Sequence, residues 1–548
     1  MVSGSISVRW RIDSRGRFGP FVFLFLLSIK RIDMSSTTDN SGATAPNAHR
    51  LLWAGFMAIL AAGVGFSIRA GILSQWAEKF GFTMTELGQI TGGGLTGFGI
   101  IILLSSFLAD SLGYGRLMSL AFLTHLVSAI LTLAAGYAFA SGGKDAAFQC
   151  LFWGMFLFAI GNGIAEAVVN PLVATLFPNN KTHYLNILHA GWPGGLIVGG
   201  LASYFMNPDG GKPVSWEVQI SLFLLPVVIY GAMLVGQRFP KSEASQAGVS
   251  LSEMFTQVFA PLMLVLLVIH ALVGYVELGT DSWITKITGA IMESKQAGLL
   301  LFVYTSALMF LLRFFAGPIV HRISPLGLLF VSALLGFVGL NMLGAATTVL
   351  ACIIAATVYA IGKTFLWPTM LAVASEQFPK GGAITIGALG GIGMLSAGLL
   401  GGPGIGFKQD YNATSNLKEK GPAVYERYKA PAENSFFGFK VQGLDGAKVG
   451  VLEDGGKELA RASDLIKKEG RVDKNNEELS NWWQQASATA DADKKLVTDA
   501  GLYGGRQALK LTSFVPLTMA VLYLLLILYF RARGGYKAKN VETQGSSH

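Results

Sequence analysis

The chain is 548 residues long, 52% hydrophobic and only 14% charged, with a mean hydropathy of +0.50. A soluble domain carries roughly 25% charged residues, so this much apolar surface excludes a water-soluble globule and requires a bilayer as solvent. The formal charge of +9 does not point to nucleic acid, because the basic residues lie in tails and short loops, where the positive-inside rule puts them.

Residues 18–29 (FGPFVFLFLLSI) form an apolar run too short to span a membrane. Basic residues precede it as in a signal peptide, but no small-residue cleavage site follows; Lys30, Arg31, Ile32 and Asp33 come next, and Met34 opens a polar stretch. Residues 1–33 are therefore either a mis-assigned start or a surface-lying anchor. A spanning helix needs about 20 apolar residues. Twelve runs qualify, near 51–71, 87–109, 117–140, 148–177, 185–206, 218–236, 258–280, 297–320, 326–346, 349–376, 383–406 and 513–530. Helices are the natural reading because a lipid-facing backbone must satisfy its own hydrogen bonds, and the alternation of barrel strands is absent. The predicted organisation is an N-terminal tail (1–50), six helices in 51–237, a cytoplasmic linker (238–257), five helices in 258–406, an extracytoplasmic insert (407–511), the last helix (512–530) and a cytoplasmic tail (531–548). Cys150 and Cys352 each lie in an apolar run, so neither a disulfide framework nor a metal cluster is indicated.

Orientation follows from Lys and Arg near helix ends. Both tails are basic, with Lys30, Arg31 and Arg50 at one end and Arg531, Arg533, Lys537 and Lys539 at the other. An even number of helices puts both tails on one face, expected to be cytoplasmic in a cell inner membrane. The insert 407–511 then falls on the outer face. It holds 17 Lys/Arg against 16 Asp/Glu, a balance that suits a translocated segment. Runs such as Gly456–Lys468 and Asn475–Ala490 read as amphipathic helices, and either a small lid or a flexible loop is compatible with them.

The sequence repeats itself. The fourth and tenth runs match at an offset of 201, pairing Ala159-Ile160-Gly161 with Ala360-Ile361-Gly362 and Phe177-Pro178 with Phe378-Pro379. The first and seventh match at 207, pairing Trp76, Lys79, Glu86 and Gln89 with Trp283, Lys286, Glu293 and Gln296. Two matches that each link helix n with helix n+6 predict an all-α membrane protein with 12 transmembrane helices in two pseudo-symmetric six-helix bundles. In such repeats the bound solute sits near the midplane between the halves.

Twelve helices in two similar halves resemble the major facilitator superfamily. The loop Leu108-Ala109-Asp110-Ser111-Leu112-Gly113-Tyr114-Gly115-Arg116 is similar to that superfamily's loop signature, whose acid and base latch the inner gate. The second-half equivalent, Gly317-Pro318-Ile319-Val320-His321-Arg322, is degraded. The resemblance thus implies gating roles for Asp110, Arg116 and Arg322. Glu166-Ala167-Val168-Val169-Asn170-Pro171 resembles the Glu-x-x-x-Asn-Pro element of the fucose–proton symporter branch. There the glutamate is implied to bind substrate and carry the coupling proton. That branch also carries an acid in its first helix, where this chain has Arg69.

A charge at the membrane centre costs roughly 2.5–3.5 kcal/mol on insertion scales, so ionisable residues inside the runs are candidates for a site. Asn162, Glu166 and Asn170, spaced i, i+4, i+8, share one helical stripe. A carboxyl withdrawn from water takes up a proton more readily, which suits a carrier; the bland alternative is that Glu166 bonds a neighbouring helix. Glu277 and Asp281 share a face of helix seven, with His270 two turns away, although Asp281 at the outer interface is equally readable as solvated. Arg69 aligns with Val276, beside Glu277, and either pairs across a cavity with Glu277 or Glu166 or snorkels to the outer surface. Helix ten carries Tyr359, Lys363 and Trp367 on one stripe, and helix five carries His189 and Trp192. An aromatic ring opposite a sugar is a common binding device, while ordinary packing also accounts for Trp367 and His189. The glycines of 92–94 and 387–406 lack the strand–turn–helix setting of phosphate loops and read as helix-packing surfaces.

The expectation is a proton-coupled carrier of a small polar solute, most readily a sugar, working by alternating access. Glu166 and Glu277 would carry the proton, and Arg69, Asn162, Asn170, His189, Trp192, Asp281, Lys363 and Trp367 would bind substrate. No enzymatic activity, cofactor, metal or nucleic-acid partner is expected, and the protein is read as a monomer in the lipid bilayer. Two rivals stand beside it: an organic-anion carrier gripping its cargo with Arg69 and Lys363, and a receptor or enzyme using 407–511 as its working domain.

Overall fold

The computed structural model describes residues 46–541, apart from 83, 92–93, 209–210, 469 and 471–472; the expectation for residues 1–33 lies outside them. Among the described residues, ten helices are long and apolar enough to cross a membrane. In chain order the elements are α1 (Ala48–Phe80), α2 (Gly94–Leu112, preceded by Met84–Thr91), and Tyr114–Leu176, a 63-residue helical stretch broken at Gly143. That break, at φ 71° and ψ −161°, divides the stretch into α3 (114–142) and α4 (144–176). Next come α5, in two pieces (Lys181–His189 and Gly191–Met206), and α6 (Trp216–Leu234). The second half holds α7 (Pro261–Ile291), α8 (Lys295–Arg313, prolonged by 316–323), α9 (325–345), α10 (Val349–Gln377), α11 (Pro379–Lys420) and α12 (Ala490–Thr512 and Phe514–Ala532). These segments accommodate the twelve crossings read from the sequence.

The repeat is visible in the backbone. Phe177 closes α4 at φ −129°, ψ 61°, and Phe378 closes α10 at φ −127°, ψ 57°. Each is followed by a short 3-10 turn. Gly113 turns between α2 and α3 at φ 84°, ψ 147°, and Ser324 turns between α8 and α9 at φ 65°, ψ 163°. The second-half loop therefore keeps the turn although it has lost the glycine; a non-glycine residue in this region is strained, and the Ser324 hydroxyl accepts the Gly327 N–H at 3.2 Å.

Lipid tails are as apolar as leucine, so membrane helices associate through close packing, which small residues allow. A Cβ on Gly63 of α1 would lie 2.5 Å from the Trp192 carbonyl oxygen of α5, and one on Gly99 of α2 would lie 2.9 Å from Leu395 N of α11. The halves meet along α2–α11 and along α5–α8, where a Cβ on Gly200 would reach Val303 at 2.6 Å. Within the second half, α7 and α11 each contain one π-helical turn, Tyr275–Gly279 and Ala397–Gly401, and the two turns touch through Gly279 and Gly401. Glu277 lies in the first of them, in keeping with the tendency of π-turns to occur at functional positions.

The stretch 407–511 is folded, and its ends belong to the helices. α11 continues past residue 406 to Lys420, and α12 begins at Ala490 and packs on that extension through Gly504 and Ala413. Between them lie helices Pro422–Tyr428, Gly446–Asp454, Lys457–Lys468 and Lys474–Ala486 and an antiparallel hairpin of β1 (Asn434–Phe436) and β2 (Phe439–Val441). This cap has its own core of Leu417, Val424, Tyr425, Tyr428, Leu452, Val497 and Ala500. Asp493, buried beneath it, accepts two bonds from Arg427 at 2.9 and 2.5 Å.

The opposite face carries both described termini. Asn47 bonds Gln237 and Arg238, and the chain after α12 returns to α10, where Tyr536 donates to Glu376 at 2.7 Å and Gln377 donates to the Lys537 carbonyl at 2.8 Å. Thr182 of α5 donates to the same Glu376 at 3.1 Å, joining the halves. Asp110 accepts from Ser242 at 2.5 Å and Ser245 at 2.9 Å, both in the linker, while Arg116 and Arg322 are exposed. The acid of the loop signature is thus engaged by linker hydroxyls rather than by its expected base. Lys181 adds an ion pair to Glu243 at 2.8 Å.

Replacing Gly274 of α7 by Ala would set a Cβ 1.9 Å from the Gly393 carbonyl oxygen of α11. Overpacking against backbone costs about 1–3 kcal/mol, so Gly274→Ala lowers the thermal midpoint in detergent; an unchanged midpoint contradicts this contact. Asp110→Ala removes both linker bonds, and trypsin then cuts at Arg238 and Lys241 faster than in the parent; equal cutting rates mean the linker is held by other contacts.

Candidate functional site

A narrow cleft lies between the halves. The first half contributes Ala58 and Ala62 from α1, Phe98 from α2, Asn162 and Glu166 from α4, and His189 and Trp192 from α5. The second contributes Glu277 from α7, Arg313 from α8, Trp367 from α10 and Met394 from α11. The helical stripe of α4 delivers Glu166 here at 6% exposure. Asn170, one turn on, donates its amide to the Glu166 carboxylate at 3.0 Å and to the Glu166 carbonyl at 2.9 Å. His189 Nε2 lies 2.8 Å from Asn170 Oδ1 and 3.6 Å from Glu166 Oε1, and the Trp367 indole faces the same carboxyl from the other half. The His270 ring packs on Trp367 in a tilted arrangement, with centroids 4.6 Å apart and planes at 56°.

Glu277, 3% exposed, accepts from Arg313 Nη2 at 3.1 Å through Oε1; its Oε2 is buried without a partner. A charge removed from water is tolerated when paired, and the sequence reading missed this pair. Arg313 stands near the end of an apolar run, where a snorkelling base is common. The signal that singled out Lys363, a lone base between apolar neighbours, applies to it equally.

Four expected site residues lie elsewhere or are otherwise engaged. Arg69 is turned into the first half. It donates to the Gly65 carbonyl at 3.2 Å and Ser128 at 3.3 Å, with its guanidinium 4.0 Å from the centroid of the Phe158 ring. Such cation–π contacts hold a desolvated guanidinium without a carboxylate. Asn162 lines the cleft, but its carboxamide oxygen bonds His125 at 2.9 Å, which in turn bonds the Tyr230 hydroxyl at 2.8 Å. Lys363 and Asp281 bond each other at 2.5 Å. They line a separate narrow pocket inside the second half, together with Thr288, Thr305 and Tyr359. The structure therefore brings together Glu166, Asn170, His189, Trp192, Trp367 and Glu277, and adds Arg313. Among the described residues no cluster has the makings of a metal site.

The Major Facilitator Superfamily pattern matches residues 55–402. Among solved structures, FucP, described as the E. coli fucose:proton symporter, is similar in its outward conformation at 17% identity. The TM-score is 0.54 over 66% of this chain and 92% of that one. The proton:xylose symporter XylE bound to 6-bromo-6-deoxy-D-glucose is similar at 13% identity and a TM-score of 0.55, over 69% and 91% of the two chains. A bacterial homolog of the human lysosomal transporter Spinster, inward-facing and unoccupied, is similar at 14% identity and 0.57, over 88% and 97%. No curated protein matches the sequence. At these identities the structural likenesses speak for the fold; the family pattern covers more than half of the chain. With its all-helical repeat, its membrane-crossing helices and a polar cleft at the seam between halves, the chain belongs to the Major Facilitator Superfamily and is a multi-pass membrane transporter of small solutes.

Proposed function

We propose that the protein is a proton-coupled symporter for a small neutral polyol, a monosaccharide or a close relative, working by alternating access in the cell inner membrane. The observation that carries this reading is Glu166, a buried carboxyl at the cleft whose bonded partner is the Asn170 amide rather than a Lys or Arg. A carboxyl so held can bind and release a proton as its access to water changes. Trp192 and Trp367 provide flat apolar faces for a sugar ring, and the free oxygen of Glu277 offers an acceptor for a hydroxyl. Arg69 and Lys363 each bond elsewhere, which favours a neutral solute over an anion. Two of the similar structures are described as sugar–proton symporters, which agrees with this assignment. The face bearing the tails also bears Arg50, Arg116, Lys181, Arg238, Lys241, Arg322 and Lys380. By the positive-inside rule we place it in the cytoplasm, with the cap outside.

A potential of 100 mV supplies about 2.3 kcal/mol per proton, or roughly 50-fold accumulation at about 1.36 kcal/mol per decade. In proteoliposomes loaded with the purified protein, an inward proton gradient drives uptake of the transported monosaccharide, and an uncoupler abolishes the accumulation. Glu166→Gln keeps the Asn170 contact but cannot carry the proton, so it loses gradient-driven accumulation while retaining sugar-for-sugar exchange. Accumulation by Glu166→Gln at the parental level removes Glu166 from the coupling step.

A further inference from the structure

Two prolines on opposite walls of the cleft each strip a backbone carbonyl of its helical donor, and one side chain serves both carbonyls. Pro193 in α5 has no N–H to offer the His189 carbonyl four residues earlier, and Pro368 in α10 leaves the Thr364 carbonyl in the same state. Arg313 Nη1 donates to His189 O at 2.5 Å, and its Nε donates to Thr364 O at 2.9 Å. Its third bond, from Nη2, is the one to Glu277 at 3.1 Å. The side chain is 1% exposed. α7, α8 and α10 all belong to the second half, so the bond to His189 is the one of the three that crosses the seam. Leaving a buried carbonyl unsatisfied is costly, and leaving a buried guanidinium unpaired is more so. The three bonds are therefore interdependent: whatever loosens the guanidinium from its carboxylate also frees it to leave His189.

The other charged and titratable groups around this pair are few. Lys363 faces Glu277 from α10, and Asp281 faces it from its own helix. Glu166 faces Arg313 from α4, as does the imidazole of His189 from α5, which also faces His270 of α7. Glu277 lines the cleft, and its Oε2 is buried there without a partner.

We propose that Arg313 is a positioning residue that couples the state of Glu277 to separation of the two halves. With Glu277 ionised, the carboxylate holds the guanidinium where it locks the broken α5 of the first half to the broken α10 of the second. When Glu277 takes a proton from water on the open side, the ion pair becomes a weaker neutral contact, the bond to the His189 carbonyl is released and the halves separate. The proton returns to water when the pair re-forms on the other side. The device depends on the alternating access of a transporter but not on the solute being a sugar.

The test measures the distance between the halves without solute. Spin labels go on Ser119→Cys in α3 and Ile323→Cys at the end of α8, both exposed on the tail-bearing face, in a Cys150→Ser, Cys352→Ser full-length background in lipid nanodiscs. At mildly alkaline pH, Glu277→Gln and Arg313→Gln each raise the separated fraction by about fivefold, and the double variant raises it no further, as expected for two groups acting through one contact. A purely structural role for Arg313 would lower stability and add to the effect of Glu277→Gln. Unchanged distances in either single variant, or additive shifts in the double, overturn the proposal. Should Arg313→Gln fail to fold, Arg313→Lys serves. A lysine can pair with Glu277 but has no fork to span both carbonyls, so its separated fraction is raised as well; parental distances in Arg313→Lys overturn the proposal. Failure to transport any sugar leaves all these distances untouched, so the two readings fail separately.

Discussion

Hydrocarbon cannot solvate an ionised side chain, and each charge kept within the membrane helices must be matched from inside the protein. That constraint sorts the ionisable residues of this chain. Arg69 is matched by a carbonyl, a hydroxyl and the face of Phe158. Lys363 is matched by Asp281, and Arg313 by Glu277 and two carbonyls. Glu166 is the exception: its carboxylate is held by an amide, with an imidazole at 3.6 Å. A carboxyl held by an amide and an imidazole can change its charge without leaving a bonded Lys or Arg unpaired, and it sits where the two halves face each other.

The seam that shelters it is built for reversible contact. Glycine on α2, α5 and α11 brings helices together by shape alone, and shape contacts of this kind can slide without leaving a charge unpaired. On the tail-bearing face the closure is polar instead. Ser242 and Ser245 bond Asp110, Thr182 and Tyr536 share Glu376, and Lys181 pairs with Glu243. Water can replace each of these bonds when this face opens; beside them, Ala244 and Met254 of the linker pack on Ile384 of α11. The cap differs: it rests on extensions of α11 and α12, carries a hydrophobic core and reaches α1 of the first half through Arg461 and Glu78 at 3.6 Å.

Much of the fold was legible because hydropathy and repeat spacing are local signals. The runs near 349–376 and 148–177 correspond to α10 and α4, and the offset of 201 that paired Phe177 with Phe378 pairs residues whose backbone angles agree within a few degrees. The length of α11 was not legible, since residues 407–420 are too polar to read as the continuation of a membrane helix and their stability comes from packing on α12. At the site, the cost of burial flagged Glu166, Glu277, Arg69, Lys363 and Asp281, but not who faces whom. Arg69 aligned with Val276 by sequence, beside Glu277, yet its partners are Ser128 and Phe158, supplied by α3 and α4. The role of Arg313 depends on carbonyls freed by Pro193 and Pro368, in α5 and α10, and no spacing along one helix could reveal it.

The central claim is that the cleft around Glu166 opens to water on one side of the membrane at a time. A single cysteine at Ala62 or at Leu278, one lining residue from each half, in a background lacking Cys150 and Cys352, reports this with a membrane-impermeant thiol reagent in oriented vesicles. The account predicts that each position reacts from either face, and that conditions speeding reaction from one face slow it from the other. Reaction from one face only under all conditions, or parallel changes on both faces, would contradict it.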